Sequence, residues 1–131
     1  MAIEWNEQYR IGVPEIDQHH QTIIEQLAKL HEQMKLGKGK EIIGETLTFM
    51  ASYVKMHFAE EEKLMEKYDC PIAALNKQQH AEYIEKLNVF KDEFEKNHTN
   101  PVLVLNVQQD LVTWITNHIL KIDLKLKDCM K

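Results

Sequence analysis

The chain has 131 residues, which is enough for one domain with a sizeable buried core. Its 16 basic and 21 acidic residues are interspersed and give a formal net charge of −5, so no basic patch is available for a nucleic-acid backbone. Only 4 glycines and 3 prolines occur, a balance that favours helices over a sheet with its frequent turns.

Neither a targeting signal nor a disulfide pattern is evident in the sequence. The opening MAIEWNEQYR has no apolar signal core, and no apolar run approaches the roughly 18 residues of a membrane span. The two cysteines, Cys70 and Cys129, form no CxxC pair and give no sign of a disulfide framework. We therefore expect a soluble protein of the reducing cytoplasm, with no membrane span.

The chain begins with an irregular segment and continues as four helices. Residues 1–13 alternate loosely in hydrophobicity and are predicted to form an N-terminal arm whose Trp5 and Tyr9 cover apolar surface. Apolar residues then recur at i, i+3, i+4 and i+7, the spacing of amphipathic helices. The predicted helices cover about 14–36, 41–67, 71–96 and 102–127.

Short breaks separate these helices: GKGK (37–40), YDCP (68–71) and NHTNP (97–101). Asp69 is a candidate N-cap for the third helix, and Asn100 followed by Pro101 suits the start of the fourth. Four helices of about 20–27 residues with short connections predict an all-α, up-down-up-down antiparallel four-helix bundle as a single domain over residues 1–131.

Polar residues on the apolar faces are the informative exceptions, because the core of a bundle should be aliphatic. One histidine lies on the inward face of each helix: His20, His57, His80 and His118. Glu61 follows His57 by four residues, so both side chains project from the same side of their helix. These positions are candidates for a shared polar site.

Each candidate also has a plainer interpretation. A single inward histidine is more often a hydrogen-bonded core residue than a metal ligand. Glu61 lies within AEEEK, a charge run typical of a solvated face. Asp123 stands among lysines, and it follows His118 by five residues, about 500° around an α-helix and thus a loose alignment.

Depth along the bundle favours a shared site over these separate interpretations. Counted from the helix ends, the inward histidines lie toward the same end of the bundle, within about one turn of a common level. Four buried imidazoles and two carboxylates would be costly without a group that satisfies them together. Imidazole with carboxylate suits iron, and two carboxylates able to bridge indicate two metal ions.

Three segments together resemble the single-domain bacterial hemerythrins: WNxxYxIGVPEIDxHH (5–20), HFAEEEKLM (57–65) and WITNHILKID (114–123). The resemblance covers the whole chain. It implies a protein, not an enzyme, that binds O2 reversibly for storage, delivery or scavenging. The implied cofactor is a pair of non-haem iron ions with an oxo or hydroxo bridge.

The resemblance also implies which residues hold the first iron. His20 and His57 would bind it and leave one coordination position open. Glu61 and Asp123 would bridge it to the second iron. His19 precedes His20 and points about 100° away around the helix, so we expect it to lie outside the site.

The second iron would take His80 and His118, but here the chain departs from the family pattern. The family has a further histidine four residues before the position of His80, where this chain has Asn76. Asn76 could supply an amide oxygen as a seventh ligand, water could take the place, or the metal content could be lower. Gln78 and Gln79 are poor substitutes because they point in other directions.

Trp114 and Ile119 flank His118 and are candidate walls of an O2 pocket, although ordinary core packing explains them equally well. Three functions stay open: O2 binding, an O2 or redox sensor module, and a peroxidase-like or NO-handling enzyme acting beside Asn76. No separate nucleophile or general acid forms an evident constellation, which argues against a dedicated oxygenase. The sequence does not indicate a protein partner.

Overall fold

The structure, a computed structural model, describes residues 3–96 and 101–130. An N-terminal arm with a 3-10 turn (Glu7–Tyr9) leads into α1 (Pro14–Lys35), α2 (Gly39–Lys67), α3 (Ala73–Lys96) and α4 (Pro101–His118). The last helix continues through a π-helical segment (Ile119–Asp123) into α5 (Leu124–Cys129). The described residues contain no strand, which confirms the predicted all-α class. No helix among them is long and apolar enough to cross a bilayer.

The helices pack as the predicted bundle. Both α1 and α3 pack against α2 and α4, as short connections between antiparallel neighbours require. A main apolar core runs along the bundle, and a smaller end cluster closes it, formed by Ile11, Ile16, Met65, Cys70 and Leu126. In α1, His20 lies between Ile16 of the end cluster and Ile23 of the main core. The polar residues thus occupy a level with apolar packing on both sides.

Local backbone geometry sets the helix ends within about two residues of the predicted bounds. Gly37 ends α1 with a φ of 73°, the left-handed conformation that glycine adopts without strain. Asp69 also has a positive φ, 49°, and its neighbour Cys70 donates its N–H to the carbonyl of Met65 at 2.9 Å. Asp69 therefore ends α2, and the prediction that it caps the third helix was wrong. The predicted break at residues 97–100, including the Asn100 cap, lies outside the described residues.

The N-terminal arm covers apolar surface, as its aromatic residues predicted. Tyr9 and Ile11 are buried, and Trp5 is half-buried against the main core. The arm is fixed to α1 by Asp17, whose carboxylate accepts the backbone N–H of Ile11 at 2.8 Å and of Gly12 at 3.2 Å. Gly12 has a φ of 88°, which lets the chain turn into the helix.

The cysteines correct the expectation drawn from their spacing. Cys70 and Cys129, 59 residues apart, form a disulfide with a Cα–Cα distance of 5.5 Å. The bond joins the loop after α2 to the end of α5, a proximity that only the folded bundle creates. Because both cysteines are paired, cysteine usage no longer argues for a reducing compartment.

Candidate metal centre

Six side chains predicted as ligands converge at one level of the bundle. Each is at most 3% exposed to solvent, so all six are buried. They are His20 from α1, His57 and Glu61 from α2, His80 from α3, His118 from α4 and Asp123 from the π-helical segment. Four helices therefore contribute to one polar cluster inside an apolar bundle.

The π-helical segment explains the five-residue spacing between His118 and Asp123. A π-helix closes its hydrogen bonds from i to i+5, so residues five apart lie above one another on the same face. The Nε2 atom of His118 and the Oδ1 atom of Asp123 are 3.0 Å apart. An uninterrupted α-helix would have turned Asp123 away from the cluster.

The carboxylate of Glu61 lies between two pairs of histidines. Its Oε2 atom is 3.3 Å from Nε2 of His57 and 3.6 Å from Nε2 of His20. Its Oε1 atom is 3.1 Å from Nε2 of His80 and 4.0 Å from Nε2 of His118. One oxygen thus faces each pair.

Asp123 repeats this arrangement from the opposite side. Its Oδ2 atom lies 3.0 Å from Nε2 of His20, and its Oδ1 atom lies 3.0 Å from Nε2 of His118. The cluster therefore divides into two groups, each with ligand atoms within 4.8 Å of one another. We call His20, His57, Glu61 and Asp123 the first half, and Glu61, His80, His118 and Asp123 the second half.

The chemistry of these atoms fits a cation. The Nε2 atoms of His20 and His57 and all four carboxylate oxygens of Glu61 and Asp123 have no hydrogen-bond partner among the described residues. The imidazole and carboxylate atoms of the cluster lie 3.0–3.6 Å apart at their nearest contacts, without these atoms being paired in hydrogen bonds. Buried polar atoms without partners are costly, and a cation among converging lone pairs would satisfy them together.

In the second half, each histidine directs its other ring nitrogen to an outer partner. Nδ1 of His80 lies 3.0 Å from the Oε2 atom of Glu62, and Nδ1 of His118 lies 2.8 Å from the Oε1 atom of Gln79. Histidines that bind metals typically donate this second N–H to such a group. Sequence reasoning missed both partners, because Glu62 lies in a charge run typical of a solvated face and Gln79 was considered only as a substitute ligand.

In the first half, His57 and His20 differ. Nδ1 of His57 lies 3.0 Å from Nδ1 of His19, whereas Nδ1 of His20 has no partner within the described part of the chain. His19 does lie outside the cluster, as the helix angle predicted, but it is only 8% exposed. His19 nevertheless reaches the far side of a neighbouring imidazole, a contact that the helix angle alone does not reveal.

Asn76 lies at the second half. Its side chain is fully buried, and its Oδ1 atom is 2.8 Å from Nε2 of His118, the nitrogen that faces the cluster. Its Nδ2 atom has no hydrogen-bond partner among residues 3–96 and 101–130. The amide oxygen therefore stands where the second half could use a further donor.

Aromatic rings enclose the second half. Phe58 stacks on His80 with ring centroids 3.8 Å apart, and Trp114 stacks on His118 at 4.4 Å. Tyr83 in turn stacks on Trp114 at 4.2 Å. Ile119 is fully buried in the main core. Trp114 thus contacts the second half, and a role for Trp114 and Ile119 in an O2 pocket stays a prediction.

Burial and charge act in opposite directions on the titrating groups. Burial lowers the pKa of His20, but Asp123 and Glu61 outweigh it and raise the pKa to about 9. Burial likewise lowers the pKa of His80, and Glu61 raises it above its usual value. For His57, burial prevails and lowers the pKa. Burial alone would raise the pKa of Glu61, yet the close polar contacts of its carboxylate with Asp123 and the imidazoles hold it well below its usual range.

Comparisons with known proteins relate most of the chain to one family. A family model described as the hemerythrin HHE cation binding domain matches residues 11–129. Bacteriohemerythrin of Stenotrophomonas maltophilia is 30% identical over 115 residues, which cover 88% of this chain and 72% of that protein. Bacteriohemerythrin of Methylococcus capsulatus is 32% identical over 118 residues, which cover 87% and 85% respectively.

A third relative, bacteriohemerythrin of Clostridium acetobutylicum, is 25% identical over 123 residues, 91% of this chain and 94% of that protein. The matched residues 11–129 include the whole cluster. The family description concerns cation binding, which supports a binding protein rather than an enzyme. The chain therefore belongs to the hemerythrin family and carries a cation-binding domain of the bacterial hemerythrin type.

Proposed function

We propose that this protein binds O2 reversibly at a non-haem di-iron centre, for storage, delivery or scavenging. One observation carries the proposal: two metal-sized groups of ligand atoms share both of their carboxylates. Glu61 and Asp123 each direct one oxygen to the first half and one to the second. This is the arrangement in which two carboxylates bridge a pair of metal ions.

The donor types favour iron. The cluster combines imidazole nitrogens with carboxylate oxygens, a mixture that suits iron in its ferrous and ferric states. Thiolates, which would favour zinc or an iron–sulfur cluster, take no part, because Cys70 and Cys129 are joined to each other. The six ligands would be His20, His57, Glu61, His80, His118 and Asp123.

The two halves would have different roles in O2 binding. When bound, the iron pair supplies the electrons and the coordination position that reversible O2 binding requires. The first half offers four protein donors, whereas the second has four and the nearby Oδ1 atom of Asn76. We therefore assign the open position to the first half. The main core and the end cluster lie on either side of the centre and surround it with apolar side chains.

The decisive experiment combines metal analysis with visible spectroscopy. Protein purified with iron should contain close to two iron ions per chain. After anaerobic reduction with dithionite and removal of excess reductant, air should produce a visible absorption band that disappears when O2 is removed. A reproducible content of one or no iron would overturn the dinuclear assignment. A band that survives deoxygenation would overturn reversible binding.

Asn76 supports a second candidate, peroxidase-like or NO-handling chemistry at the second half. A neutral amide is a weaker ligand than imidazole, so the position beside His118 would exchange more readily. In that case the reduced protein should oxidise rapidly in air and consume added hydrogen peroxide over many turnovers. A stable adduct with O2, without turnover of peroxide, would favour the first proposal.

A further inference from the structure

The two histidines of the first half are held differently. The Nδ1 atom of His57 lies 3.0 Å from Nδ1 of His19, while Nδ1 of His20 has no partner among the described residues. Among the described residues, the one side-chain hydrogen bond of His57 is therefore this contact with a neighbouring helix. His19 and His20 are consecutive in α1. A single turn of that helix therefore supplies one imidazole of the first half, His20, and the contact of the other, His57.

The chemistry of this contact fixes where the protons lie. Two imidazole nitrogens 3.0 Å apart form a hydrogen bond only if one carries a proton and the other a free lone pair. The Nε2 atom of His57 faces Glu61, and a metal bound there would occupy its lone pair. The proton of a neutral His57 is then on Nδ1, and Nδ1 of His19 is the acceptor.

The surroundings of His19 suit an acceptor that is held in place. Its ring is 8% exposed and stands nearly perpendicular to the ring of His57, at 88° with centroids 5.1 Å apart. Tyr53 also packs against it, with ring centroids 5.9 Å apart and ring planes at 86°. A buried ring held by two aromatic neighbours has little freedom to turn its Nδ1 atom away.

We propose that His19 is a positioning residue for the first half. It accepts the Nδ1–H hydrogen bond of His57 and so sets the tautomer and rotation with which His57 presents Nε2 to the metal. This role rests on the proposed function, because it concerns a metal held by His57. Outer partners of metal-binding histidines typically contribute about 10–100-fold to metal affinity.

The first test uses the unaltered protein. Zn(II) accepts the same ligand types and is diamagnetic, so the protein loaded with Zn(II) and labelled with 15N-histidine is suited to NMR. His57 should carry its proton on Nδ1, protected from solvent exchange, and His19 should carry its proton on Nε2. A proton on Nδ1 of His19 would overturn the proposal, because that nitrogen could not then accept.

The second test uses paired variants. In His19→Asn, the Oδ1 atom takes the place of Nδ1 and can still accept, whereas His19→Phe keeps a ring but cannot accept. The Phe variant should bind one of two Zn(II) ions about 10–100-fold more weakly and expose the Nδ1–H of His57 to exchange, and the Asn variant should restore both properties. His31→Phe, on the same helix but outside the cluster, is the matched control.

The outcomes separate this role from the proposed function. If His19→Phe binds both ions as tightly as the unaltered protein and still protects the His57 proton, His19 is not a positioning residue. If the unaltered protein binds Zn(II) as described but forms no reversible O2 adduct, the proposed function fails and the positioning role stands. An unaltered protein that binds no metal would overturn both.

Discussion

The first half of the centre is held loosely by its surroundings. His57 is fixed through His19, and Nδ1 of His20 has no partner among the described residues. Of the two imidazoles, only one therefore has a hydrogen bond that sets its rotation.

The second half is held by more contacts. His80 is hydrogen-bonded to the carboxylate of Glu62, and His118 to the amide of Gln79. Trp114 also stacks on the ring of His118 with an interplanar angle of 13°. Both imidazoles are thus fixed by a hydrogen bond and by an aromatic face.

Under the proposed function, this difference would give the halves separate roles. An anionic outer partner such as Glu62 would make its imidazole a stronger donor, which would compensate for an amide at Asn76 in place of a third imidazole. The second half would then retain its metal more firmly. The first half, with fewer donors and fewer outer contacts, would leave room for an added ligand.

The largest expected effect comes from removing what the halves share. Glu61→Ala should abolish most iron binding at both halves, because one oxygen of this carboxylate faces each of them. Metal analysis after gel filtration measures the loss. Glu60→Ala is the matched control, since that neighbouring side chain is 41% exposed and should leave two irons in place. An iron content unchanged by Glu61→Ala would mean that the halves do not depend on a bridge.

The pH dependence of the unfolding free energy should differ between the metal-free protein and the protein loaded with metal. The pKa of His20 is raised from its ordinary 6.5 to about 9, so the metal-free protein should gain stability from this group below pH 6.5 and lose it as the pH rises through about 9. The full shift corresponds to at most about 3 kcal/mol of unfolding free energy. Urea unfolding at several pH values measures it. Loading with Zn(II) should remove the decline, because the metal takes the place of the proton.

A smaller effect should be confined to the second half. Glu62→Ala removes the partner of Nδ1 of His80 and should weaken metal binding at the second half about 10–100-fold, leaving the first half unchanged. Competition with a chelator while Zn(II) is titrated resolves the two affinities. Glu66→Ala, an exposed change one turn further along α2, should alter neither. Equal weakening at both halves would break the distinction between them.

The smallest expected effect is a gain in metal retention at the second half. Asn76→His places an imidazole beside His118 and should slow both metal release from the second half and oxidation of the reduced protein in air, each by several-fold. Stopped-flow release to a chelator and the decay of the absorption band measure these rates. Faster metal release in this variant would mean that Asn76 does not lie at a ligand position.

Much of the fold followed from the sequence because helical periodicity is local. The i, i+4 spacing of His57 and Glu61 already placed both on one face, and the bundle was confirmed. The disulfide could not be foreseen, since the approach of Cys70 and Cys129 depends on the whole fold. The role of Asp69 was also misjudged, because the sequence does not reveal a left-handed φ at a residue other than glycine.

At the candidate site, too, the sequence predicted the features that depend on local spacing and missed those that depend on the packing of helices. Spacing brought out the inward residues, and their assignment as iron ligands stays a prediction. The roles of His19, Glu62 and Gln79 as outer partners were not predicted, because they depend on how neighbouring helices are rotated against each other. A charge run such as AEEEK conceals the buried carboxylate of Glu61 and the contact of Glu62 with His80 among more exposed residues.

The π-helical segment has a consequence for how much length change this helix tolerates. It acts as one residue inserted into an α-helix, so everything after it is turned by about 100° relative to an uninterrupted helix. Asp123, Leu126 and Cys129 all lie beyond the insertion point. Deleting a single residue between His118 and Asp123 would let this segment close as an α-helix, with the carboxylate four residues after the histidine, as in His57 and Glu61. Inserting a further residue there would instead turn a carboxylate, a core side chain and a disulfide partner out of phase at once.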